Sequence, residues 1–227
     1  MQNLIFDDQY YFSHLEPLST TLLWDRSYGN ATIIESKLIN YTPALKLTGP
    51  CFLVETRGHI LPVIHALHAI PENHVLVIND LCETDDTYHY DALLGDIIAE
   101  SARLQKLKGI VVFGHVRDVE AIRRLGVPVW AKGISIKPAK LGSAIKPFPE
   151  ELLIDHNRFR KGDWLIGDEN GLILIRQEAL RLIIKAAEFK NKKEGCCIQR
   201  IQSGERISDQ MNMENYLKGA GKITLDF

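Results

Sequence analysis

The sequence predicts an α/β domain, a central β-sheet with flanking helices, followed by a C-terminal helical arm. Two observations carry this. Five short apolar runs rich in β-branched residues, at 51–54, 75–78, 110–113, 127–130 and 172–175, each have Gly, Pro, Asp or Asn nearby, as buried strands do. Between them lie stretches whose apolar residues recur three and four apart, the spacing of helices that cover a sheet. With 227 residues, 45% hydrophobic and 25% charged, the chain has an ordinary globular composition and length for one large domain or two small ones.

Taken in order, the strand at 51–54 is followed by "HALHAI", where His65 and His68 stand three apart. No third ligand is evident, so they read as helix surface or core. After the strand at 75–78, a helix is expected over 93–107, apolar at 94, 97, 98, 104 and 107 with the small Ser101 in phase. A shorter helix follows over 119–125. The stretch 137–149, with three prolines, reads as a surface loop. In "GDWLIGDENGLILI" a hairpin turn is expected over 168–171, with Gly171 suited to positive φ. The last helix begins near Gln177, is apolar at 180, 183, 184 and 187, and turns Lys-rich at "KNKKEG". The domain is therefore expected over 1–176 and the arm over 177–227. Lacking a core of its own, the arm is expected to bury its stripe on a neighbouring subunit.

A formal charge of −2 gives no electrostatic argument for nucleic acid or an anionic membrane. No apolar run approaches the ~20 residues of a membrane span, and the N-terminus lacks a basic, cleavable leader. Cys51, Cys82, Cys196 and Cys197 fit neither a zinc site nor a disulfide framework. A reducing cytoplasm is the expected setting.

Two strand-to-helix corners draw attention, because ligands of α/β sheets sit at the carboxyl ends of strands and anions favour free helix N–H groups. One is "LLGDIIAESA", where Gly95 admits close approach and a helix starts at Asp96. The other is "GIVVFGHVRDVEAI", with Arg117 beside Asp118. Twenty residues separate Asp96 from Arg117, enough for a helix, a turn and a strand, so the corners are expected side by side. Adjacent side chains on a turn rarely pair, so Arg117 and Asp118 are expected to face different partners. The plainer alternative stays open on the pattern alone: Asp96 an N-cap, Asp118 a first-turn acid, Arg117 paired with a nearby carboxylate.

The phrase "GDIIAESARLQKLKGIVVFGHVRDVEAIRRLGVPVWAKG", with "LTGPCFLVE" before it and "KGDWLIGDENGLILI" after it, resembles the RraA-like family. That family includes the 4-hydroxy-4-methyl-2-oxoglutarate/4-carboxy-4-hydroxy-2-oxoadipate aldolases and the regulators of ribonuclease activity. The resemblance covers roughly 47–177, and its sharpest element is an Asp, twenty residues, then Arg-Asp.

The resemblance implies a metal-dependent (class II) pyruvate aldolase acting on a small 2-oxo acid. Asp118 would hold Mg²⁺ or Mn²⁺ through one carboxylate oxygen and several waters. Asp96 would anchor metal-bound water. The backbone N–H groups of Gly95, Asp96, Ile97 and Ile98 would receive the substrate carboxylate. Arg117 would lie against the keto oxygen and stabilise the enolate. Glu194, on the arm of a neighbouring subunit, would reach the site, which implies a ring oligomer, most simply a homotrimer. Oxaloacetate decarboxylation passes through the same enolate. The rival reading is a protein-binding regulator of ribonuclease activity, but those regulators lack the Asp after the Arg and the longer arm.

Departures from the family pattern touch particular positions. Gly195–Cys196–Cys197 is a poor continuation of a helix. His115 stands where many relatives have a small residue, and reads as packed under the loop. Lys132 at a strand end invites a Schiff-base reading, which the resemblance to metal enzymes disfavours. "YHYDALL", before Gly95, replaces a simpler loop.

Overall fold

A computed structural model of the chain describes residues 8–84, 90–142, 145–220 and 222–223. Two short helices, α1 (Asp8–Leu15) and α2 (Thr20–Asp25), precede strands β1 (Ala31–Ile33) and β2 (Ile39–Asn40). The alternating part follows: β3 (Leu47–Thr56), α3 (Leu61–Ala69), β4 (Val75–Asp80), β5 (Ala92–Leu94), α4 (Asp96–Leu104), β6 (Gly109–Val116), α5 (Val119–Leu125) and β7 (Val129–Ile134). Two hairpins come next, β8 (Glu151–Ile154) with β9 (Asn157–Arg160), then β10 (Trp164–Asp168) with β11 (Gly171–Ile175). The chain ends in α6 (Gln177–Gln202), α7 (Ile207–Gln210) and α8 (Met213–Leu217).

Nine of these strands form one sheet, ordered β1-β11-β10-β3-β4-β6-β7-β2, with β5 alongside β6. β3, β4, β6 and β7 are parallel, joined by crossovers that carry helices, and β10, β11, β1 and β2 join antiparallel. Both faces are covered. Phe52, Val54, Leu76, Ile78, Ile110 and Val112 pack under α3, α4 and α5. The alternate residues Leu53, Val75, Val77, Val111 and Phe113 pack against Leu152, Ile154 and Phe159 of the β8–β9 hairpin. Burial on both sides explains why the parallel strands read as unbroken apolar runs rather than alternating ones.

The β10–β11 turn is the one expected. Glu169 and Asn170 link the strands, and Gly171 has φ +145°. The Asp168 carboxylate accepts hydrogen bonds from Thr20 N and Oγ1, both at 2.7 Å, and from Asn170 N at 2.9 Å. Partial burial pushes the Asp168 pKa up, but these bonds outweigh it and leave the carboxyl below its ordinary value.

Three expectations need correction. The helix expected from 93 starts only at Asp96, because Ala92–Leu94 form β5 and pair with the end of β6. That helix buries Ala99 and Ala102, and of the expected stripe Leu94, Ile98 and Leu107 join the same core while Ile97 and Leu104 are 76% and 66% exposed. The β8–β9 hairpin was not foreseen; its turn sets Asp155 and His156 at φ +45° and +68°, a geometry usually given to Asn-Gly. Lastly, the stripe of the C-terminal helix is not left for a neighbour. Leu180, Ile183, Ile184 and Ala187 are fully buried against Leu15, Leu18, Leu23, Trp164 and Ile175 of the same chain. A division after 176 therefore cuts through a core. Beyond Ala187 the helix is mostly exposed, and it continues through Gly195–Cys196–Cys197 to Gln202. Among the described residues no helix is long and apolar enough to cross a membrane.

Candidate functional site at the β5 and β6 corners

Parallel pairing of β5 with β6 brings the two predicted corners together. Arg117 N donates to Leu94 O at 2.8 Å. Gly95 then lies directly against the Arg-Asp pair. A Cβ there would stand 2.7 Å from Asp118 Oδ2 and 3.2 Å from Arg117 Nε. Only glycine leaves that space open.

Asp118 occupies the N-cap position of α5 but does not cap it with its side chain. Its backbone is left-handed, φ +56° and ψ +38°. This region is sparsely populated for non-glycine residues, although Asp and Asn tolerate it better than most, and such outliers gather at functional sites. The turn folds the carboxylate back on its neighbour: Arg117 Nε and Asp118 Oδ2 are 3.3 Å apart. The expectation that they face different partners, since adjacent side chains on a turn rarely pair, does not hold in the free chain, where the left-handed backbone of Asp118 brings the two together. The pair is far from sealed, with side chains 38% and 41% exposed.

The start of α4 completes the corner. Gly95 is the N-cap, and no side chain caps the helix. Asp96 is exposed, and its Oδ1 accepts from Ile97 N at 2.7 Å. That N–H is occupied in the free chain. Glu194 is not part of this assembly within one chain. It lies on α6, the layer packed over β10 and β11, and pairs with Lys190 at 3.2 Å, whose ammonium also binds Asp25.

The remaining candidates are placed as follows. His115 lies over Gly133, where a Cβ would meet Nε2 at 2.7 Å, and edge-on to Tyr90 at 4.6 Å; it is packed, as expected. Lys132 is ion-paired with Asp155 at 3.2 Å, unlike an imine-forming lysine desolvated in an apolar pocket. His65 stacks on Phe148 and His68 is exposed. In "YHYDALL", Tyr88 and His89 lie outside the described residues. Two buried acids escaped the sequence reading. Asp80, 3% exposed, accepts from Gly58 N at 3.0 Å and Cys82 N at 3.1 Å. Asp91, 2% exposed, pairs with Lys137 at 2.8 Å. The only signal for either was a carboxylate abutting an apolar run.

Among the described residues, no three His, Cys, Asp or Glu side chains come close enough to hold an ion. One half-exposed carboxylate beside a glycine-lined space does fit Mg²⁺ or Mn²⁺, which keep most of their ligands as water and substrate.

Site and sheet together define an α/β protein with its polar centre at the carboxyl ends of parallel strands. Residues 17–174 match the RraA-like family, described as Aldolase/RraA, and the chain belongs to it. It is 33% identical over 130 residues to the uncharacterized protein MJ0644 of Methanocaldococcus jannaschii, spanning 54% of this chain and 59% of that one. A Bacillus cereus relative, provisionally named a 4-hydroxy-4-methyl-2-oxoglutarate aldolase, is 26% identical over 166 residues, or 71% of this chain and 98% of the relative. Among solved structures, an uncharacterized Pseudomonas syringae protein superposes with TM-score 0.74 at 21% identity, covering 88% of this chain and 96% of that one. The RNA-processing inhibitor RraA from Thermus thermophilis does so with TM-score 0.61 at 22% identity, covering 69% and 92%. These likenesses establish the fold.

Proposed function

We propose that the protein is a divalent-metal-dependent aldolase and decarboxylase that cleaves short 4-hydroxy-2-oxo acids or oxaloacetate through a pyruvate enolate. The observation that carries this reading is Asp118. A non-glycine residue is turned left-handed at a strand end, with a half-exposed carboxylate set where Gly95 omits a side chain. Left-handed residues also make plain turns here, as at Asp155 and His156, so it is the exposed carboxylate at a strand end, together with the strain, that points to chemistry.

Asp118 would hold Mg²⁺ or Mn²⁺, and the bound ion would supply Lewis-acid polarisation of the substrate's keto group. Arg117, released from Asp118, would face the keto oxygen, where negative charge grows as the carbon–carbon bond breaks. The N–H groups of Gly95, Asp96, Ile97 and Ile98 would receive the substrate carboxylate, with Asp96 giving up its bond to Ile97. Asp96 would then orient water for proton transfer. Glu194 would enter from a neighbouring subunit of a homotrimer. The exposed Ile97 and Leu104, and the exposed second half of α6, support a subunit contact beside the corner. The four free thiols suit a reducing compartment.

Exchange of pyruvate methyl protons with deuterated water tests this directly, since it needs enolate stabilisation but not the second product. Exchange and oxaloacetate decarboxylation are expected with Mg²⁺ or Mn²⁺ and should vanish with chelator. No exchange above that of the ion alone would sink the aldolase reading and leave a protein-docking member of the family.

A further inference from the structure

Away from the Arg117 corner, the carboxyl end of β3 opens into a cavity of about 320 Å³, large enough for a small organic molecule. One wall is apolar: Leu81, Pro147, Phe148 and Pro149. The lining also carries Arg57, His59, His65 and Lys146 and, among the described residues, one carboxylate, Glu55.

The two histidines are held in place. The His65 ring stacks on Phe148 at 4.6 Å and 22°, and Phe148 packs edge-on to Phe52 at 4.9 Å. His59 is fixed through its backbone, with its carbonyl accepting from Thr56 Oγ1 at 2.6 Å and its N–H donating to that oxygen at 3.3 Å. In both rings Nδ1 is buried and has no hydrogen-bond partner among the described residues. At His59 the seal is Gly142, where a Cβ would stand 2.9 Å from Nδ1. A buried N–H without an acceptor is rarer and costlier than a bare acceptor nitrogen. The bare Nδ1 positions therefore favour a hydrogen on Nε2 of each ring. Nε2 is also the only polar atom either ring has left to offer the cavity, and it offers a donor.

Lys146 adds an ammonium that makes no hydrogen bond or ion pair among the described residues. Arg57 adds a guanidinium. On the polar part of the lining, Lys146 and the two imidazoles meet one carboxylate among the described residues, Glu55, so a ligand that accepts hydrogen bonds complements it. A bare inorganic anion would satisfy that side and leave the proline and phenylalanine wall in contact with water. An uncharged apolar molecule would do the reverse. We infer that this cavity binds a small carboxylic acid with an aromatic or branched apolar body, its carboxylate toward His59, His65 and Lys146. The inference is independent of the proposed aldolase activity.

Benzoate is the probe, with benzyl alcohol (ring without charge) and acetate (charge without ring) beside it. Calorimetry on the full chain should show benzoate binding at least about tenfold tighter than either control. The ¹⁵N imidazole resonances of His59 and His65 should report Nε2–H tautomers and move on binding. His65→Phe keeps the stack on Phe148 but removes both ring nitrogens, and Lys146→Ala alters an exposed residue that folding does not need. Each should weaken benzoate at least about tenfold, while Arg117→Lys should not. Equal affinity for benzoate and benzyl alcohol, an Nδ1–H tautomer in either ring, or unchanged binding in both variants would overturn the proposal.

Discussion

Two aspartates close neighbouring parallel strands at the same edge of the sheet, Asp80 on β4 and Asp118 just beyond β6. Asp80 is 3% exposed and its Oδ1 serves backbone N–H groups of Gly58 and Cys82, bracing the loop after β3. Asp118 is 41% exposed, sits on a left-handed backbone and, among the described residues, pairs with Arg117 alone. The same residue type at the same edge does opposite things. A carboxylate at a strand end becomes a reactive candidate only if the backbone turns it outward and the fold leaves its oxygens unspent.

The largest effect expected from breaking this contrast is on turnover. Asp118→Asn should abolish metal-dependent exchange. Arg117→Lys, which keeps the charge but loses the planar fork, should cost on the order of 3 kcal/mol, about 100-fold in kcat. Neither should lower thermal stability appreciably, since both side chains are half-exposed. A Lys variant with near-full turnover would make Arg117 a structural partner of Asp118 and nothing more.

Asp80→Ala should show the opposite pattern. It leaves the Gly58 and Cys82 N–H groups without their acceptor, which costs about 2 kcal/mol of folding stability. Urea unfolding would read this as a lower midpoint. Loss of turnover with unchanged stability would place Asp80 at the chemistry and erase the distinction.

Gly95→Ala probes the space between the corners. The extended backbone of Gly95 accepts alanine, so the main conflict is the 2.7 Å approach to Asp118 Oδ2, with a tighter fit against Arg117 at 3.2 Å. Displacing that carboxylate should reduce exchange about tenfold, or about 1.4 kcal/mol, while the fold persists. Full activity would mean that the carboxylate moves away at no cost.

The smallest expected effect concerns a third aspartate, at neither corner. Asp168 has a depressed pKa, so its bonds to Thr20 and Asn170 add stability above the ordinary aspartate range, and that stability is lost as pH falls through the folded value. Asp168→Asn should cost about 1 kcal/mol at pH 7. The gap from wild type should close below about pH 4. A gap that stays constant across this range would show that the bonds do not depend on the charge.

Much of this was legible in the sequence, for reasons that differ by region. The parallel strands announced themselves because burial on both faces leaves only apolar residues to write them with. The Asp96 to Arg117 spacing was legible because one crossover helix fixes it. β5 was hidden because Ala92–Leu94 continue the apolar phase of the helix that follows, and only the pairing with His115 and Val116 separates the two. The left-handed turn at Asp118 was hidden because no glycine marks it. The destination of the α6 stripe could not be read at all, since a helix face states that it must be covered and not by whom.

That destination has a mechanical consequence. The anchored half of α6, through Ala187, and the half that carries Glu194 are one unbroken helix without a hinge or linker. The outer half is a beam clamped at one end in the core behind β10 and β11. At 1.5 Å per residue, Glu194 stands roughly 10 Å beyond Ala187, the last α6 residue in the core behind β10 and β11. Its position is dictated by the packing of Leu180 and Ile184 rather than by loop chance. A cavity cut at Ile184 would therefore tilt a carboxylate at the beam's far end, and a distant active site would register a change made in the core.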